Sequence, residues 1–101
     1  MPMELSVFHD NKRERVQNTI KAVTKILEDK SKVIDLDVFQ VLVSDIADAH
    51  SICQQELNKI SNEWYKPNPN PSVLNSRQGQ WEGFSKALGD GKILLERKCH
   101  N

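Results

Sequence analysis

The stretch Asp37–Tyr65, DVFQVLVSDIADAHSICQQELNKISNEWY, decides the fold. Phe39, Leu42, Ile46, Ala49, Cys53, Leu57, Ile60 and Trp64 recur at steps of three or four residues, so they share one face of an α-helix. Asp37 followed three residues later by Gln40 is a capping-box variant, and Leu36 with Val41 stands at the spacing of a hydrophobic staple. A helix over 37–65 would be about 43 Å long. A compact domain of about 100 residues has a radius of gyration of only about 13 Å. The stripe therefore predicts that the helix either kinks or lends its surplus apolar face to a second chain, and a homodimer is the expected form.

Downstream, Pro67, Pro69 and Pro71 end this helix, because proline lacks the amide donor and disfavours helical backbone in the residue before it. Residues 66–71 form a stiff connector. Asn70 as cap and Pro71 as first helical residue restart a helix over 71–88, with Leu74, Trp81, Phe84 and Leu88 on its apolar side. Gly79 and Gly83, four apart on one face, predict the close approach of another helix, and Gly89 predicts a left-handed cap. Upstream, Val16, Ile20, Val23 and Leu27 mark a helix over 10–30 that Asp10 can cap.

The predicted fold is all-α: three main helices, helix 2 and helix 3 forming a long antiparallel hairpin with helix 1 packed across it, in a single domain over 1–101. The ends are open to two readings. Residues 1–9 form an N-terminal arm, or Met3, Leu5 and Val7 belong to a short terminal β-strand paired with Lys92–Lys98; the segment 89–101 is correspondingly helix or strand.

Charge excludes little globally, since 14 Lys plus Arg balance 14 Asp plus Glu. Its distribution is uneven: residues 33–58 hold five acids and no base, between flanks of net +2 and +3. Two cysteines, Cys53 and Cys99, make no CxxC motif and read as reduced thiols, with a Cys53–Cys99 bridge as the alternative. No apolar run approaches the ~20 residues of a membrane span, and the start of the chain lacks the order of a secretory signal. The expectation is a cytoplasmic protein with no membrane partner.

Chemistry is thinly represented. His50 and Cys53 are one turn apart and Cys99 precedes His100, but the spacing fits no structural zinc motif. A Cys53/His50 nucleophile pair lacks a third member. Asp45, Asp48 and Glu56 form a carboxylate row on helix 2 that could hold Mg²⁺ in a small all-α metal-dependent hydrolase, yet helix 1 offers no matching Glu-x-x-Glu run. Lys12, Arg13, Arg15, Lys21 and Lys25, with Arg77, Lys86, Lys92, Arg97 and Lys98, offer a basic surface for nucleic acid, interleaved with acids and without helix-turn-helix spacing. No cofactor, metal or catalytic residue is expected. The favoured reading is a non-catalytic protein-binding module, a small adaptor, inhibitor or accessory factor of the kind phages and immunity systems carry. Trp64, Tyr65 and Trp81 would anchor the partner and Asp45, Asp48 and Glu56 would steer it. A nucleic-acid-binding regulator is the alternative.

Overall fold

The computed structural model describes residues 2–30 and 33–100, with side chains over 12–30 and 33–99. Three helices account for nearly all of them: α1, Pro2–Glu28; α2, Leu36–Trp64; and α3, Pro71–His100. Among the described residues there is no strand. Over 2–9 the expected arm, and at Met3–Val7 and Lys92–Lys98 the alternative strands, are therefore corrected to helix, while residue 1 lies outside the described residues. Alternation over five residues is too short a signal to resist propagation of an adjoining helix, which adds one hydrogen bond for each residue fixed.

The central helix begins at Leu36, not Asp37, because Asp35 is its cap. The Asp35 backbone is extended (φ −81°, ψ 169°) and its Oδ1 accepts from the Val38 amide at 2.9 Å. That bond satisfies one of the unpaired first-turn donors. Leu36 thereby becomes helical instead of preceding the cap as a staple residue does, and it and Val41 are each 61% exposed. At the other end the helix closes at Tyr65, as the proline run requires. Asn68 turns the connector with a left-handed φ of 56°, a conformation that asparagine tolerates better than most residues. Asn70 Oδ1 then accepts from Val73 N at 3.3 Å and Pro71 opens α3, the cap and first residue expected.

α3 does not stop at Gly89. No described glycine has positive φ, and the helix runs through Gly89 and Gly91 to His100. The turn signal Gly89-Asp90-Gly91 is overruled by packing: Leu88, Gly91 and Leu95 keep helical spacing, and all three are buried. Nor do Gly79 and Gly83 mark a close approach, since a Cβ added at either meets nothing within 4 Å. The tight place is Gly91, where an added Cβ would stand 3.0 Å from Val23 Cγ1.

The core runs the length of the molecule. Val16 and Val23 of α1, Leu42, Ile46, Ala49, Cys53 and Ile60 of α2, and Leu74, Trp81, Leu88 and Leu95 of α3 are buried, with Ile34 tucked in ahead of α2. Lys12 reaches Glu56, Arg15 reaches Asp48, Glu63 meets Arg77 beside the connector, and His50 meets Ser85 further along. The molecule measures 52 × 28 × 18 Å, with a radius of gyration of 16.2 Å. α2 is a single uninterrupted helix of 29 residues, as expected, but it does not outrun its cover. α1 has 27 residues and α3 has 30, so helices of matching length from the same chain lie along the apolar stripe, burying Leu42, Ile46, Ala49, Cys53 and Ile60 and leaving Phe39, Leu57 and Trp64 half-buried. The difference in length from which a second copy was expected is therefore not found among the three helices.

Candidate functional site

The six residues expected to form a site are dispersed. Trp81 is only 5% exposed and packs edge-to-face on Phe84, with ring centroids 5.4 Å apart. It is core, where a large ring contributes burial and a defined geometry. Trp64 is half-buried against the same core, while Tyr65 at the end of α2 is 87% exposed. Glu56 is buried and held by Lys59 at 3.2 Å and Lys12 at 3.7 Å. Asp48 faces Arg15 at 3.7 Å, with both side chains largely in solvent. Asp45 lies on a shallow surface between α1 and α2 beside Glu14 and Arg15. The acidic row thus splits into a buried, ion-paired carboxylate and two solvated ones.

Nucleophilic groups are equally revealing. Cys53 is fully buried and its thiol is pushed up from the ordinary value of 9.0, chiefly by the cost of burying a thiolate. Its neighbour His50 pairs across the helices with Ser85, Oγ to Nε2 at 2.8 Å. A serine–imidazole contact is the start of a catalytic arrangement, but an oxyanion needs free donors aimed at it. Ser85 sits mid-helix, where backbone amides are spent on the helix itself. The pair is best understood as a hydrogen bond that fixes α3 against α2, contributing about 0.5–1.5 kcal/mol. Both cysteines are free, and among the described residues no three His, Cys, Asp or Glu side chains converge on a point where a metal ion could sit.

Among the described residues, exposed apolar side chains concentrate where α1 ends and α2 begins. Of the large apolar side chains that stay exposed among the described residues, Val33, Leu36, Val38 and Val41 belong to that corner, Ile93 and Leu94 approach it along α3, and Tyr65 and Val73 lie toward the connector. Lys98 ties α3 to the corner by donating to the Asp29 carbonyl at 2.8 Å. Here the seam between α1 and α3 opens into a groove of about 320 Å³, with Ile20, Leu27, Ala87 and Leu94 on its walls and Ile46 and Leu88 beneath. Glu28 and Asp90 are the charged residues lining it. A second groove of about 450 Å³ lies between α2 and α3, where His50, Ser51 and Lys92 surround a smaller apolar area.

Sequence reasoning did not find the first groove. Its trace is the run Ala87, Asp90, Leu94 at helical spacing, which becomes visible only once α3 is continued past Gly89. Among the described residues no helix is long and apolar enough to cross a membrane. No family model matches the chain, and neither a curated protein nor a solved structure does.

Proposed function

We propose that the chain is a non-catalytic protein-binding module, an adaptor, inhibitor or accessory factor, built as a long antiparallel hairpin of α2 and α3 with α1 laid along it. The hairpin reading is supported by Glu63 meeting Arg77 and His50 meeting Ser85, pairs whose positions run in opposite directions along the two helices. The binding reading is carried by one observation: among the described side chains, most of the exposed aliphatic ones stand toward one end of the molecule, beside an apolar groove, instead of being scattered singly. Scattered exposed apolar residues need no explanation, whereas contiguous ones mark interaction surfaces. Trp81 drops out as an anchor because the core already uses it, Tyr65 because it stands at the connector, away from the groove, and Leu94, 46% exposed on the groove wall, takes that role.

Nucleic-acid binding is the weaker reading. Arg15, Arg77 and Lys12 are engaged with carboxylates, Lys98 donates to a backbone carbonyl, and the seam between α1 and α3 presents carboxylates where a polyanion would need bases.

The test is affinity capture from the native host with the wild-type chain, Leu94→Glu and Tyr65→Ala. A partner retained by the wild type and by Tyr65→Ala, and lost with Leu94→Glu, supports the reading. No specific partner, or equal retention by all three, overturns it.

A further inference from the structure

We infer that the groove between α1 and α3 receives a basic amphipathic helix of a partner protein, an inference that rests on the protein-binding reading above. The groove is linear: Ile20 to Leu27 on one wall and Ala87 to Leu94 on the other each span about two helical turns, roughly 11 Å. Its lining is mainly apolar, with Thr24 as the neutral polar side chain, and α1 and α3 come close within it where Gly91 meets Val23. A helix laid in such a seam reads it with apolar anchors at i, i+3 or i+4, and i+7. A fourth helix here would complete a bundle on the one side of the α1–α3 pair that α2 does not cover.

The charge of the occupant follows from the rim. Glu28 and Asp90 are both exposed and, among the described residues, neither makes a salt bridge or a side-chain hydrogen bond that would neutralise it. Among the described residues, no lysine or arginine lines the groove. An incoming helix with lysine or arginine beside its apolar stripe satisfies both carboxylates, while an acidic helix, a nucleic acid or an anionic lipid surface meets like charge.

The test titrates the full chain with a synthetic leucine/lysine amphipathic peptide of about fourteen residues, long enough to form a helix on binding. The controls are the same peptide with glutamate for lysine, and vesicles of anionic lipid. The inference expects saturable one-to-one binding of the basic peptide only. It also expects affinity to fall by about tenfold in the Glu28→Lys/Asp90→Lys double variant and to stay unchanged in Glu14→Lys, whose carboxylate lies on a different seam. Far-UV dichroism checks that the variants remain helical, and Glu28→Gln/Asp90→Asn serves if the double reversal does not fold. Equal binding of the acidic peptide, vesicle binding, an unchanged affinity in the double variant, or self-association abolished by Leu94→Glu each overturns the inference. If a native partner is still captured by the double-reversal chain, only the basic helix is refuted; if nothing is captured at all, the binding reading fails as well.

Discussion

Gly91 of α3 faces Val23 of α1 so closely that a methyl group on Gly91 would lie 3.0 Å from Val23 Cγ1. Val23 is buried and β-branched, which leaves it essentially one rotamer in a helix and little room to retreat. The three other glycines, Gly79, Gly83 and Gly89, have nothing within 4 Å of the same methyl. Alanine at each of these three should stabilise the protein by about 1 kcal/mol, which raises Tm by about 5 °C in a domain of this size. Gly91→Ala should lose most or all of that gain to the clash. Thermal unfolding of the four single variants checks it, and a Gly91→Ala variant as stable as the others would show that α1 and α3 are not in close contact there.

Glu56 is a buried charge between two half-exposed lysines: its side chain is 8% exposed, against 38% for Lys12 and 49% for Lys59. Removing one lysine leaves the other in place and should cost less than about 1 kcal/mol. Glu56→Gln should cost about 1–2 kcal/mol, since it forfeits both ion pairs and keeps a polar group in the core. Glu56→Met should come close to the wild type, because a well-packed apolar side chain escapes the desolvation penalty. Denaturant unfolding that ranks Met below Gln would mean that the carboxylate is needed as a charge.

Burial raises the Cys53 thiol above its ordinary 9.0, so in alkali the unfolded chain loses this proton before the native one does. The native state then binds more protons than the unfolded state. The stability due to the neutral thiol is complete below about pH 9 and falls away as the pH climbs toward the raised native value. Cys53→Ala should flatten the alkaline limb of the stability profile relative to wild type. Disulfide-exchange reagents should titrate half-buried Cys99 promptly and Cys53 only as fast as the chain opens. Two equally prompt thiols would contradict the buried position.

How much of this was legible in the sequence differs from element to element. The middle of α2 was plain because eight apolar positions hold one register, and the Asn70-Pro71 start was plain because its chemistry is local. The cap of α2 was displaced by two residues because Asp35 and Asp37 are both competent caps, and the path of Ile34 into the core selects between them. Gly89-Asp90-Gly91 misled because a local turn preference of about 1 kcal/mol per glycine yields to the burial of Leu95, a contact with no local signature. The aromatic residues were assigned to a surface because tryptophan serves cores and interfaces alike, and sequence does not distinguish them. The α1–α3 groove depends on the relative rotation of two helices separated by all of α2, which no pattern within either one encodes.

The long, narrow outline of the bundle, 52 Å by 18 Å across its extremes, bears on any count of subunits. A rod drags more solvent than a sphere of equal mass, so this chain will leave a sizing column ahead of globular standards of 11.6 kDa and mimic something heavier. Stoichiometry, alone or with a bound peptide, therefore has to be weighed by scattered light or sedimentation equilibrium, which respond to mass and not to outline.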